Sequence, residues 1–181
     1  MTFKNFKIET DADGIALVTW DIPGRSMNVL DTQTIEELGA IVDQTSADAA
    51  VKGVVITSGK EAFSAGADLS MLEGMNKLFA ETVKTKGNEA AQQMLFDESR
   101  KLSQTLRKIE TSGKPWVAAI NGLALGGAVE LTLACHYRVA SDNPKTRLGL
   151  PEGKVGLGPG GGGTQRLPRM MPAADARHLL L

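Results

Sequence analysis

The stretch Asn121-Gly122-Leu123-Ala124-Leu125-Gly126-Gly127-Ala128-Val129-Glu130-Leu131-Thr132-Leu133-Ala134-Cys135 sets a carboxylate one turn inside an apolar helix, directly behind a glycine pair. A charge among Val129, Leu131, Leu133 and Ala134 must be paired, hydrogen-bonded or pushed toward its neutral form. Two readings are open: Glu130 reaches water between apolar neighbours, or it is enclosed and serves chemistry. A helix apolar nearly all round leaves few routes to water and favours the second. The rest of the chain must then supply something for Glu130 to work with.

Glu152 is the first candidate. It stands between Pro151 and Gly153, on a constrained loop instead of a helix, and an ordinary surface acid is the alternative. A helix, a strand and a return loop separate it from Glu130, enough chain to bring both carboxylates to one pocket. Two carboxylates shielded to different degrees titrate apart and can divide acid from base work. Gly126 and Gly127 let the backbone approach a ligand, and helix N-termini offer unpaired N–H groups to an oxyanion. The turn Ala65-Gly66-Ala67-Asp68 enters a second helix in the same way. Tight packing is the alternative reason for small residues at either turn.

The order of elements is α/β. Phe3 to Thr10 and Ile15 to Trp20 flank the turn Asp11–Gly14 as a hairpin. Asp31 is placed to cap a helix carrying Ile35, Leu38, Ile41 and Val42 on one face. Val51 to Thr57 reads as a buried strand, followed by a short helix capped by Asp68. Lys77 to Asn88 is polar and irregular, a mobile lid-like segment, and Ala91, Leu95, Leu102, Leu106 and Ile109 mark a long helix. Trp116 to Ile120 and Tyr137 to Ser141 are short strands, and helices start near Thr164 and Ala173.

Several function classes are disfavoured. With 181 residues, 42% hydrophobic and 23% charged, the chain suits one globular domain, and a net charge of -1 offers no nucleic-acid or membrane surface. No apolar run spans a bilayer and the N-terminus has no export signal, so membrane insertion is not expected. The single Cys135 fits a reducing cytoplasm and reads as a buried packing thiol beside His136. With His178 the only other histidine, no metal site is expected. Gly156 to Gly163 matches G-x-G-x-x-G in two registers, but no strand precedes it and Pro159 interrupts it, so a nucleotide cradle is disfavoured. Arg166 and Arg169 read as helix-surface charges, with phosphate binding the lesser alternative.

Taken together, Ala62-Phe63-Ser64-Ala65-Gly66-Ala67-Asp68-Leu69, Lys114-Pro115-Trp116-Val117-Ala118-Ala119-Ile120-Asn121-Gly122, Gly126-Gly127 before Glu130, Pro151-Glu152 and Gly163-Thr164-Gln165-Arg166-Leu167 resemble the crotonase (enoyl-CoA hydratase/isomerase) superfamily. Cys135-His136-Tyr137-Arg138-Val139-Ala140 resembles in particular the hydratase half of bifunctional fatty-acid β-oxidation enzymes, whose other half is a 3-hydroxyacyl-CoA dehydrogenase. The resemblance implies a single crotonase-like domain over residues 1–181, a spiral of ββα units that lacks the family's C-terminal helices. It implies hydration of a trans-2-enoyl-CoA, with Glu130 and Glu152 catalytic and the N–H groups of Ala65 and Gly127 as the oxyanion hole. Arg25, Met27, Gly66, Ala67, Asp68, Leu69, Gly126 and Pro151 fall where the family contacts CoA and the acyl chain. It further implies an acyl-CoA partner, a homo-oligomer or a larger multifunctional chain, no cofactor for hydration, and NAD only if a dehydrogenase half follows Leu181. An enoyl-CoA isomerase and a non-catalytic acyl-CoA-binding module are the alternatives. Gly153, Gly158 and Gly161, where bulkier residues are usual, imply a loosened loop around Glu152.

Overall fold

In the computed structural model, which describes residues 2–180, Phe6–Thr10 (β1) and Ile15–Trp20 (β2) pair antiparallel. Asp11 closes their turn by accepting from the N–H groups of Asp13 and Ile15. Five further strands follow among the described residues: Gly53–Ser58 (β3), Trp116–Ile120 (β4), Ala124–Leu125 (β5), Tyr137–Ala140 (β6) and Leu148–Gly149 (β7). The main sheet has the order β1-β2-β3-β4-β6, parallel from β2 onward, and β5 pairs with β7 in a second sheet.

The helices are Thr32–Ala47 (α1), Leu69–Lys86 (α2), Asn88–Glu110 (α3), Gly127–Ala134 (α4), Gly163–Met170 (α5) and Ala173–Leu180 (α6). Alternate strand residues, among them Val18, Trp20, Ile56, Trp116 and Ala118, form the core with Leu38 and Ile41 of α1, Leu106 and Ile109 of α3 and Leu131 of α4. Trp20 stacks on Phe6 and meets Phe63 edge-on.

Each parallel strand of the main sheet leads into a short extended piece and then a helical turn. After β2 comes Leu30, bridged to Ala67; after β3 come Ser64 to Ala67, with Ser64 bridged to Ala124; after β4 comes β5; after β6 comes β7. The hydrogen bonds Leu30 N–H to Gly66 O (2.8 Å), Leu125 N–H to Ser64 O (3.1 Å) and Gly126 N–H to Gly149 O (2.9 Å) stack these pieces on one another. This is the spiral of ββα turns, and it brings the starts of α1, α2, α4 and the turn after β7 to one side. It is the architecture that the crotonase resemblance implies.

Two segments depart from the sequence-based expectation. Lys77 to Asn88 is not irregular: α2 runs unbroken to Lys86, and Gly87, at φ 87°, makes the corner into α3. No residue of α2 is fully buried, so its apolar side is shallow and its periodicity faint. Glu152 lies not on a loop but in a 3-10 turn, Pro151–Val155, started by the fixed φ of Pro151.

Asn28, fully buried, ties the first turn of the spiral to the second. Its Oδ1 accepts from Ile22 N–H at 3.0 Å, and its Nδ2 donates to Trp20 O at 2.8 Å and Ser58 Oγ at 2.9 Å. Asn28→Ala strands these groups and is expected to lower unfolding free energy by about 2–3 kcal/mol, read from urea denaturation.

Candidate active site

Every residue of α4 is buried, and Glu130 is 1% exposed. Its carboxylate is met by the glycine segment: Oε2 accepts from Gly161 N–H at 2.9 Å and Oε1 from Gly163 N–H at 2.7 Å. Both oxygens act as acceptors, a pattern an ionised carboxylate satisfies while lone pairs remain for a further donor. The approach requires glycine, because a Cβ on Gly161 would stand 2.5 Å from Oε2. Gly161 is therefore held against Glu130 and is not the source of looseness expected from its composition; Gly153 and Gly158 do face open space.

Glu152 projects from the 3-10 turn toward Gly126, where a Cβ would come within 3.2 Å of its Oε1. Its Oε2 is buried without a hydrogen-bond partner among the described residues. Burial pushes its carboxyl above the ordinary glutamate range, its own backbone N–H pulls it back, and the charge of Glu130 adds to the rise.

Glu130, Glu152, Gly127 and Ala67 all line one cavity of about 270 Å³, walled by apolar residues including Leu30, Met71, Met75 and Leu102. Gly127 opens α4, and a Cβ there would strike Leu30 at 2.7 Å. Neither Gly127 N–H nor Ala67 N–H has a partner among the described residues, so both are available to a ligand. Ala65 is not: its N–H is donated to Asn28 O at 3.0 Å. The expectation of Ala65 as an oxyanion donor is thus overturned, and the available amide of that turn belongs to Ala67. The Leu30–Ala67 bridge explains why, since it uses Gly66 O and Asp68 N–H and leaves the N–H of Ala67 unbonded.

Arg25 and Asp68 lie beside this chamber, in an adjoining pocket of about 510 Å³ that shares Met71 and Met75 with it. They form an ion pair at 2.5 Å. Asp68 also caps α2, accepting from Ser70 N–H and Met71 N–H, and the Ser70 hydroxyl first and Arg25 second hold its carboxyl down to about 2. Met27 and Leu69 are exposed and line neither cavity. Gly66, at φ 87°, lets its turn pass 2.6 Å from Leu125 O, a space no Cβ could share. Pro151 and Gly126 shape the backbone under Glu152.

Arg166 is not a surface charge. Its side chain is 14% exposed, and its Nε donates to Glu110 Oε1 at 2.6 Å and its Nη1 to Gly161 O at 2.6 Å. Burial raises the Glu110 carboxyl, but Arg166 and Arg107 outweigh it and the net shift is downward. Nothing in the local sequence marks this pair, which joins α3 to α5. Cys135 behaves as expected: it is buried and its thiol is pushed up to about 12. His136 instead accepts the backbone N–H of Trp116 on its Nδ1 at 3.1 Å. The amides of Gly161 and Gly163 are committed to the carboxylate of Glu130, which is incompatible with a phosphate cradle at that place.

The fold and site define a protein with two unequal carboxylates facing two unpaired amides across an apolar chamber. Residues 10–181 match the family described as enoyl-CoA hydratase/isomerase, and the chain belongs to that family. It is 46% identical over 180 residues to the fatty acid oxidation complex subunit alpha of Idiomarina loihiensis and 46% over 179 residues to that of Shewanella amazonensis. The match covers 98% of this chain and 23% of each relative. The crystal structure of an enoyl-CoA hydratase from Bacillus anthracis superposes with a TM-score of 0.80 at 34% identity, covering 97% of this chain and 62% of that one. One from Geobacillus kaustophilus gives 0.83 at 28%, covering 99% and 61%.

The raised Glu152 has a consequence for stability. Between the ordinary and the raised pKa the native state holds more protons than the unfolded state, so a stabilising contribution present at low pH is lost as pH rises through the raised value. Thermal unfolding of Glu152→Gln between about pH 4 and about pH 8 is expected to show a smaller loss toward high pH than the parent.

Proposed function

We propose that this chain is a hydratase that adds water across the trans-2 double bond of an enoyl-CoA thioester in fatty-acid oxidation. The observation that carries the reading is the meeting of Glu130, Glu152 and the free N–H groups of Ala67 and Gly127 in one apolar chamber. The thioester oxygen sits between the two amides and takes up the electron pair of the double bond as an enolate. Glu130 accepts a proton from water as the water oxygen bonds to the β carbon. Glu152, whose proton affinity is raised by burial and by the charge of Glu130, delivers a proton to the α carbon as the enolate collapses. Arg25 and Asp68 stand where the CoA portion enters, and Met71, Met75 and Leu102 receive the acyl chain.

An isomerase shuttles one proton and needs one acid, whereas both carboxylates face this chamber, which favours hydration. The step uses no cofactor beyond the CoA of the substrate. The relatives' shared name and the 23% coverage support a place at the N-terminal part of a larger multifunctional chain. No helix among the described residues is long and apolar enough to cross a membrane.

Glu130→Gln and Glu152→Gln are each expected to lower kcat for crotonyl-CoA hydration by about 10²–10⁴-fold, followed by loss of the enoyl-thioester absorbance. Isomerisation of a 3-enoyl-CoA that depends on Glu152 and tolerates Glu130→Gln, with no hydration by the parent, would move the assignment to the isomerase. Binding of the thioester without turnover by the parent would leave a binding module.

A further inference from the structure

We infer that Arg166 is a positioning residue for the reaction, clamping the glycine segment that holds Glu130. The inference rests on the reading of Glu130 as the base that activates water.

The segment from Gly156 to Gly163 has little to keep it in place. A Cβ at Gly156, Gly158 or Gly160 would meet nothing within 4 Å, so these backbones are unsupported by packing. Among the described residues, only two side chains bond to its backbone: Glu130, through Gly161 N–H and Gly163 N–H, and Arg166, through Gly161 O. One peptide segment thus receives a carboxylate on its donor side and a guanidinium on its acceptor side.

Arg166 suits the task because its own orientation is fixed. Glu110 at the end of α3 accepts from Nε at 2.6 Å and is itself held by Arg107 at 3.0 Å. The planar guanidinium presents Nη1 to the carbonyl while Nε stays committed, which a lysine cannot reproduce from one nitrogen. Gly162, at φ 101°, completes the arrangement: a Cβ there would lie 2.6 Å from Nη1, so a side chain would expel the guanidinium. The chain of contacts runs from α3 through Arg166 and Gly161 to the carboxylate of Glu130. Arg166 lines neither cavity and acts only through the segment.

The test uses the 181-residue chain, crotonyl-CoA as substrate, and amide hydrogen exchange across residues 157–163. Arg166→Met is expected to lower kcat roughly 100-fold with KM changed less than about threefold, because a misplaced base costs rate without costing binding. Exchange of the Gly161 and Gly163 amides is expected to rise while that of β2 and β3 stays as in the parent. Arg166→Lys is expected to recover about tenfold of the lost kcat at most, keeping charge but not the fork. The inference is overturned if kcat and segment exchange do not change together, or if exchange rises throughout the fold and KM rises with it. Should the parent fail to hydrate crotonyl-CoA, the proposed reaction falls, and exchange alone decides the clamp: faster at Gly161 and Gly163 upholds it, unchanged overturns it.

Discussion

A carboxylate inside a helix with no exposed face is the constraint on which the rest of this structure depends. Left unpaired, Glu130 would cost several kcal/mol in desolvation. Two backbone amides offset that cost, and backbone amides can approach a carboxylate this closely only where no Cβ intervenes. The glycines at 161 and 163 follow from the position of Glu130, and so does the path of the chain between the turn at Pro151 and α5. Charge-assisted hydrogen bonds to amides are about twice as strong as neutral ones, so the same contacts that make the burial tolerable also fix the direction of the carboxylate.

The spiral supplies everything else in order. Each turn runs along the main sheet, steps across a short bridge and starts a helix or a 3-10 turn. Ala67, Gly127 and Glu152 are reached at that same stage of three successive turns. Stacking the bridges therefore stacks the site, although its residues are far apart in sequence. The free amides arise from the same geometry. A parallel bridge engages the groups on either side of Ala67 and leaves its N–H over, and the first N–H of α4 has no preceding turn to bond.

Much of this was legible in the sequence because it depended on local chemistry. Glu130 stood out as a charge in an apolar run, Asp31 and Asp68 were readable as caps, and the hairpin announced itself by its turn. What escaped depended on register or on distant partners. Whether Ala65 or Ala67 presents a free amide is decided by which carbonyl of the Asn28 to Leu30 segment lies opposite, and composition carries no trace of that. β5 and β7, two residues each, are too short to show a period. Arg166 has the sequence context of an ordinary helix surface, and its partner Glu110 belongs to another helix. The Lys77 to Lys86 half of α2 was missed because it buries little.

The two carboxylates differ in a way that assigns their work. Glu130 has each oxygen engaged by an N–H donor, an environment that stabilises negative charge and leaves it an acceptor. Glu152 has a buried oxygen with no donor among the described residues, and the charge of Glu130 acts on it. The engaged group thereby raises the proton affinity of the unengaged one. The charge of Glu130 is among the causes that raise the Glu152 carboxyl, so the amides of Gly161 and Gly163, which hold Glu130, bear on both carboxylates of the proposed reaction. Under the proposed hydration, a change that loosens them acts on Glu130 directly and on Glu152 through the charge of Glu130. Within the glycine segment the constraint falls on Gly161 and Gly163, where a Cβ would meet the Glu130 carboxylate, and not on Gly158 or Gly160, which face open space.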